Sequence, residues 1–215
     1  MMLWSAAPPA PNPRRVTIFA AEKGLTLPVT ELAVFRGEQK SPGHLARNPR
    51  GQVPALELDD GTVIAESISI CRYLDALHPD PPLFGLGALD RALVDVALRR
   101  VENVLGVPLA LVWVNDHPLT AAAFGSAFRD FGASNRPKVD AALRWFDGQL
   151  TPFAAGAAFT IADIALWCSL DFAQWIGIAI PPDCRRLRAW FAAVAARPSV
   201  VATGGPTPPP PPPRA

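Results

Sequence analysis

The residues with the clearest chemical potential stand at the expected starts of two helices. In PPAPNPRRV, residues 8–16, Asn12 precedes Pro13, a pair typical of an N-cap and a first helical turn. In AESIS, Glu66 and Ser67 stand at an expected strand-to-helix junction. Free backbone N–H groups and the helix dipole favour an anion at such a junction. Ser67 can therefore either cap its own helix or bind a carboxylate.

A third segment, QVPAL, places Pro54 directly before an expected strand. A proline there can hold a cis peptide bond, which removes a ladder donor and turns the preceding backbone outward. Val53 would then offer its N–H and C=O to an extended peptide, as an added strand does. The plainer alternative is a proline that merely starts a strand.

Two other groups of residues have structural interpretations. Thr160 and Asp163 form a T-x-x-D capping box, which we assign to stability. The three cysteines are odd in number, far apart and without a Cys-x-x-Cys pair. They fit buried structural thiols in a reducing cytoplasm and argue against disulfides and a zinc site.

Four aromatic residues are candidates for an apolar pocket: Trp4, Trp113, Phe124 and Phe128. A core position is at least as plausible for each, because aromatic residues at helical spacing usually pack inside. We retain Trp113, because it follows a kink expected at Pro108 in a long helix.

The elements that must position these residues change in kind along the chain. The first eighty residues predict a strand (MMLW), a helix (PRRVTIFAAEKG), a strand (PVTELAV), a hairpin turning at DDGT and a helix (SISICRYLDALH). After the linker PDPPLFGLG, the remaining segments have helical spacing.

This order predicts an α/β domain followed by an all-α domain. We expect the α/β domain at residues 1–79, a linker at 80–87 and the helical domain at 88–202. Residues 203–215, TGGPTPPPPPPRA, are expected to be a disordered, solvated proline-rich tail.

Composition narrows the function classes. The 215 residues are half hydrophobic, and 20 basic against 19 acidic side chains give a net charge of +1. That balance offers no electrostatic case for a nucleic-acid or anionic-membrane partner. No apolar run approaches the roughly 18 residues that span a bilayer, and the N-terminus lacks the basic region of a secretion signal. We expect a cytoplasmic protein.

Four segments together carry a family resemblance. They are NPRGQVPAL, DDGTVIAESISICRYL, the long helix after PLFG, and FTIADIALW. In this order and at these distances, the chain resembles a cytosolic glutathione transferase over about residues 12 to 200. The segments PNPRRV and GEQKSP are similar to those of bacterial members near the Theta and Nu types.

The resemblance implies a thioredoxin-like N-terminal domain that binds glutathione and a helical domain that supplies the electrophile pocket. Glutathione is the implied co-substrate, no metal is implied, and the family usually forms homodimers. The residues that match glutathione contacts divide by the part of the tripeptide they would bind. They are Val53 and Pro54 for the cysteinyl backbone, Glu66 and Ser67 for the γ-glutamyl end, and Gln39, Lys40 and Gln52 for the glycyl carboxylate.

The catalytic position departs from the family pattern. Relatives use a Ser, Tyr or Cys before the first helix to stabilise the glutathione thiolate. The matching residue here is Ala10, and Ser5, the nearest hydroxyl, belongs to the end of the first strand. Asn12, which a T-x-N pattern of Nu-type relatives also carries, is the remaining catalytic candidate. Its amide and the helix dipole can still lower a thiol pKa.

The leading hypothesis is therefore an enzyme that conjugates glutathione to small electrophiles, a detoxification reaction, or uses it to reduce disulfides or peroxides. The alternative is a non-catalytic protein of the same fold that binds partners or apolar ligands. The missing hydroxyl at Ala10 and the proline tail favour that alternative, and the QVP and ES elements oppose it. The sequence does not reveal the electrophile.

Overall fold

A computed structural model describes residues 1–120 and 128–208 of the chain. Within these ranges, one sheet with the order β2-β1-β3-β4 is formed by β1 (Met2–Ser5), β2 (Val29–Glu31), β3 (Ala55–Glu57) and β4 (Val63–Ala65). β1 runs parallel to β2 and antiparallel to β3, and β3 and β4 form the hairpin. The expected thioredoxin-like order of strands and helices is confirmed.

Helices surround the sheet and make up most of the described chain after β4. They are α1 (Pro11–Glu22), α2 (Pro42–Arg47), α3 (Ser67–Leu77), α4 (Gly87–Arg100), α5 (Val107–Asn115), α6 (Arg129–Ala133), α7 (Arg136–Gln149), α8 (Ile161–Trp175), α9 (Arg185–Ala195) and α10 (Pro198–Ala202). The all-α character of the second half is thus confirmed. None of the helices in the described ranges is long and apolar enough to cross a bilayer.

The side chains of strand β1 alternate between the two faces of the sheet. Leu3 and Ser5 are buried on one face. Trp4 lies on the other, where the guanidinium carbon of Arg47 in α2 is 3.9 Å from its ring centroid. This alternation follows from the two-residue period of a strand. It places α2 over the face opposite the main core.

Helix α1 is packed between α3 and α8 and connects the two halves of the molecule. Val16, Ile18 and Phe19 of α1 are fully or almost fully buried. In α8, every residue from Ile161 to Ala173 is buried. Because its sides are covered, α1 has a defined position, and its first turn is held where the site is built.

The long helix predicted after the linker is present, with an irregular turn inside it. A π-helical turn, Val101–Gly106, separates α4 from α5 directly before Pro108. Proline lacks an N–H, and its ring collides with the carbonyl four residues earlier. The wider turn provides the local adjustment that a proline inside a helix requires.

Two local expectations differ from the structure. Helix α1 begins at Pro11 with Ala10 as its N-cap, so Asn12 is not the N-cap but the second residue of the helix. Proline is already suited to the first helical position, which starts the helix earlier. The strand PVTELAV is shorter than predicted, because Val34–Arg36 forms a 3-10 turn. The carboxylate of Glu38 accepts a hydrogen bond of 2.7 Å from the Ala33 N–H and bends the chain there.

The segment after α10 makes hydrogen bonds to α8. Residues 203–208 belong to the described chain, and Thr207 donates hydrogen bonds to Asp171 of α8. The expectation of a disordered, solvated tail from residue 203 onward stays a prediction, and residues 203–208 are half-buried or exposed. The proline run beyond residue 208 lies outside the described residues.

The change of architecture falls close to the expected boundary. The last strand of the described sheet ends at Ala65, α3 ends at Leu77 and α4 begins at Gly87. The division into domains at residues 79 and 88 stays a prediction, because α1 and α8 pack closely across it.

Candidate functional site

A cavity of about 340 Å³ lies where α1, α5, the loops around residues 39 and 52, and the start of α3 meet. Every site residue predicted from the sequence lines it: Asn12, Gln39, Lys40, Gln52, Val53, Pro54, Glu66, Ser67 and Trp113. Sequence reasoning missed three further lining residues, Val34, Asn48 and Gly51. The fold thus gathers residues that are distant in the chain, and their individual roles stay predictions.

The first turn of α1 offers fewer donors than a helix start usually does. Pro11 and Pro13 have no N–H, and the Arg14 N–H donates to the Ala10 carbonyl at 3.4 Å. The backbone N–H and side-chain amide of Asn12 make no hydrogen bond with the described residues. Among the described residues, Asn12 alone in this turn has a backbone N–H without a hydrogen bond. Asn12 supplies both donors that this turn can direct into the cavity.

The loop before β3 presents a free backbone edge. The Val53–Pro54 peptide bond is cis, as predicted. Val53 makes no backbone hydrogen bond within residues 1–120 and 128–208. The preceding carbonyl, of Gln52, is fixed by His44 Nε2 and by the Asn48 side-chain amide, each at 2.9 Å. These two hydrogen bonds therefore fix the backbone directly before Val53, whose own N–H and C=O stay free for a peptide.

Asn48 and Gly51 shape this loop, and the NPRG segment carried a signal for both. The Asn48 carboxamide oxygen accepts a hydrogen bond of 3.2 Å from the Arg50 N–H, an Asx turn. Gly51 has φ +56°, and a Cβ there would meet Lys40 Cδ at 2.7 Å and the Gln39 carbonyl at 2.9 Å. Only glycine lets the two loops approach this closely.

The start of α3 settles one of the alternatives left open by the sequence. The N-cap of α3 is Glu66, and its side chain makes no capping hydrogen bond. Glu66 has φ +68°, uncommon for a residue other than glycine. Ser67 is the first helical residue, 5% exposed, and its hydroxyl makes no hydrogen bond in the described structure. Ser67 therefore does not cap its helix, and its hydroxyl remains available to a ligand.

The loop that carries Gln39 and Lys40 lines the cavity beside the loop before β3. Lys40 Nζ donates 2.8 Å to the Arg50 carbonyl, which ties this loop to the one before β3. The Gln39 Oε1 atom is buried and has no hydrogen-bond partner among the described residues. The Lys40 ammonium suits an anionic ligand group, whereas the unpaired Gln39 oxygen is an acceptor and suits a ligand N–H or O–H.

Trp113 lies at the cavity as one member of an aromatic cluster. Trp113 lines the cavity, and its ring centroid lies 5.3 Å from that of Phe172 and 5.7 Å from that of Trp175. Of the other aromatic candidates, Trp4 and Phe128 do not line the cavity, and Phe124 lies outside the described residues.

The protein's own thiols do not reach the cavity surface. Cys71, Cys168 and Cys184 are all free and buried, and none lines the cavity. Burial raises the pKa of the Cys168 thiol to about 12 and that of Cys71 further. Buried thiols of this kind are poor nucleophiles, because the thiolate is the reactive form.

Comparisons with known proteins point to one family. The family models "Glutathione S-transferase, N-terminal domain" and "Glutathione S-transferase, C-terminal domain" match residues 10–77 and 129–198. The chain is 36% identical to "Glutathione S-transferase 2" of Saccharomyces cerevisiae over 90% of this chain and 85% of the relative.

Solved structures agree in fold and in sequence. The chain resembles the crystal structure of Gtt2 from Saccharomyces cerevisiae with a TM-score of 0.88 and 34% identity, covering 94% of this chain and all of that one. It resembles a glutathione S-transferase domain-containing protein of Marinobacter aquaeolei with a TM-score of 0.87 and 33% identity, covering 93% of this chain and all of that one. The likeness to the Theta and Nu types in particular stays a prediction.

Proposed function

Because the chain belongs to the glutathione S-transferase family and is a glutathione transferase, we propose that it activates the thiolate of bound glutathione for attack on small electrophiles. The observation that carries this proposal is the position of Asn12. Among the described residues of the first turn of α1, it is the one whose backbone N–H makes no hydrogen bond, and it lines the cavity. We propose Asn12 as the residue that stabilises the thiolate.

The cavity lining supports one orientation of glutathione. The free backbone of Val53 would pair with the cysteinyl residue, as an added strand does. The Ser67 hydroxyl and the start of α3 would bind the γ-glutamyl carboxylate. The Glu66 carboxylate would face the γ-glutamyl ammonium. At the other end, the glycyl carboxylate would lie near Gln39, Lys40 and Gln52, and Pro54 would shape the wall beside the cysteinyl residue.

In this orientation the reaction requires one bond to form and one to break. The glutathione thiol releases its proton to solvent, and the sulfur lone pair forms a bond to the electrophilic carbon. The leaving group, such as a halide, departs with the electron pair of the broken bond. Hydrogen bonds from Asn12 lower the thiol pKa by favouring the charged form. Trp113 would give the electrophile an apolar surface.

Conjugation is favoured over disulfide reduction by the positions of the cysteines. A reductase that forms a mixed disulfide with its substrate needs an accessible protein thiolate. All three cysteines are buried, and none lines the cavity. We propose electrophile conjugation, and hence detoxification, in a reducing cytoplasm that keeps these thiols free.

Replacing Asn12 with alanine is expected to raise the pKa of the bound glutathione thiol by about 1 to 2, because one charge-assisted hydrogen bond is lost. The variant keeps its backbone N–H, so activity should fall without disappearing. The Asn12→Asp variant, which has the same shape but carries a negative charge, should raise the pKa further. Thiolate absorbance of the glutathione complex as a function of pH measures this value.

Turnover of a generic aryl halide by the wild-type protein completes this test. Retention on immobilised glutathione without turnover, and with the pKa of the bound thiol near its free value, would support a non-catalytic binding protein instead. Equal pKa values in wild type, Asn12→Ala and Asn12→Asp would remove Asn12 from the mechanism while leaving the transferase assignment intact.

We also propose that the protein is a homodimer. One face of the α4–α5 helix carries exposed apolar side chains at helical spacing: Leu89, Leu93, Val96, Val104 and Val107. Phe35, on the loop after β2, is 72% exposed. An apolar stripe of this kind marks an interaction surface. A second copy of the chain is the partner we propose for it.

The double variant Leu89→Glu/Leu93→Glu is expected to convert the dimer into a monomer, because four charges would be buried at a two-fold interface. Light scattering should give twice 23.0 kDa for the wild type and 23.0 kDa for the variant. Val201→Glu, at a side chain that is 60% exposed but outside the stripe, is the matched control. A wild-type mass of 23.0 kDa would rule out the proposed dimer.

A further inference from the structure

The first turn of α1 has two faces with different surroundings. Asn12 is exposed and lines the cavity. Arg14 follows two residues later, about 200° around the helix, and is 3% exposed. Any group that fixes Arg14 therefore also fixes the direction in which Asn12 points.

Arg14 is fixed by a buried network that includes the C-terminal segment. Its Nη1 donates 2.5 Å to Asp171 in α8 and 2.8 Å to the Thr207 hydroxyl, and its Nη2 donates to the Gly205 carbonyl. The guanidinium carbon also lies 4.6 Å from the ring centroid of Trp167. Two of these partners belong to the segment that follows the last helix.

Asp171 links the same segment from the other side. Its Oδ1 accepts 2.9 Å from the Thr207 N–H, and its Oδ2 accepts 2.5 Å from the Thr207 hydroxyl. The side chains of Arg14 and Asp171 are 2% and 4% exposed. A buried charge pair needs such additional hydrogen bonds, because each unsatisfied group costs free energy. Thr207 is thus hydrogen-bonded to both charged groups of the network and does not merely pack over them.

We propose that residues 203–208 are a positioning element of the active site, in which Thr207 and Asp171 orient Arg14 and through it the first turn of α1. The segment touches neither glutathione nor the electrophile. It restricts the turn that carries Asn12 to the orientation in which both Asn12 donors reach the sulfur. The catalytic consequence rests on the proposed function, whereas the restriction of the turn does not.

Thr207→Val is the variant that tests this proposal. It keeps the shape and the backbone N–H of Thr207 but removes the hydroxyl that is hydrogen-bonded to both Arg14 and Asp171. Thr207→Ser restores the hydroxyl and should restore wild-type behaviour. Two truncations complete the set: loss of residues 209–215 removes none of the residues named in the network, and loss of residues 203–215 removes Gly205 and Thr207.

We expect Thr207→Val and the 203–215 truncation to speed amide hydrogen exchange at Arg14, whose N–H lies in the first turn. Exchange in α9, which does not take part in the network, should be unchanged. The pKa of the bound glutathione thiol should rise, and kcat for the aryl halide should fall about ten- to a hundredfold, as for a misplaced catalytic group. The KM for glutathione should change much less, because Val53 and Ser67 are untouched.

A merely structural role would give a different pattern. In that case exchange would increase in α1 and α9 together, the melting temperature would fall, and kcat per folded molecule would stay at the wild-type value. That result, or unchanged exchange at Arg14, would overturn the proposal. If the wild type binds glutathione without turnover, the proposed function fails, and exchange at Arg14 still decides whether the segment positions the turn.

Discussion

Replacing Ser67 with alanine is expected to raise the dissociation constant for glutathione about ten- to a hundredfold. The Ser67 hydroxyl is buried, lines the cavity and makes no hydrogen bond within the described chain. A hydrogen bond to a charged group such as a carboxylate contributes about 1.5–3 kcal/mol, and each 1.4 kcal/mol corresponds to a factor of ten in affinity. Titration calorimetry with glutathione measures the change directly.

Ser69 provides a matched control on the same helix. It lies two residues further along α3 and is exposed, so Ser69→Ala should leave the dissociation constant at the wild-type value. A glutathione analogue without the γ-glutamyl carboxylate should bind wild type and Ser67→Ala almost equally. If Ser67→Ala weakened the analogue as much as glutathione, Ser67 would not contact that carboxylate.

The sequence predicted a helix or strand correctly where the hydrophobic residues of that segment follow a single helical or strand periodicity. The spacing of Val16 and Phe19 in α1 and the turn at Asp60-Gly61 each led to an element that the structure contains. The two errors arose where a local interaction overrides the period. Pro11 starts α1 before Asn12, and the carboxylate of Glu38 bends the chain after β2.

The cavity-lining residues could be predicted from the sequence where they belong to a recognisable motif. Segments such as QVPAL and AESIS pointed to residues that the fold gathers at one cavity. Gly51 and Asn48 were missed because their importance depends on a second loop, the one that carries Gln39 and Lys40. That loop lies so close to Gly51 that a Cβ there would collide with it. A sequence does not show which two loops will meet.

The network at Arg14 is another feature that sequence periodicity could not predict. An arginine within the first turn of a helix is ordinarily taken as solvated, and a segment rich in glycine and proline as mobile. Here Arg14 and Thr207, far apart in the chain, meet the buried carboxylate of Asp171. Pairings between such distant groups depend on tertiary packing, so they become visible only in the folded molecule.

Replacing Asp163 with alanine is expected to lower the free energy of unfolding by about 2–4 kcal/mol. Asp163 is 0% exposed, and its carboxylate accepts hydrogen bonds from the Ala154 N–H at 2.8 Å and the Thr160 N–H at 2.9 Å. Alanine would leave these donors unpaired at the start of α8. Asp90→Ala is the control, since Asp90 accepts a comparable bond of 2.7 Å from the Leu86 N–H at an exposed position. Denaturant titrations should show a loss of about 1 kcal/mol or less for the control.

The pH dependence of the same residue tests which force dominates in the capping box. Burial raises the pKa of Asp163 to about 6 from an ordinary value of 3.8, although its hydrogen bonds act in the opposite direction. A raised pKa in the folded state contributes stability that is complete below 3.8 and is lost as the pH rises through about 6. The unfolding free energy of wild type relative to Asp163→Asn should therefore fall between pH 4 and 7. A rise over that interval would mean that the hydrogen bonds, and not burial, control the charge of this carboxyl group.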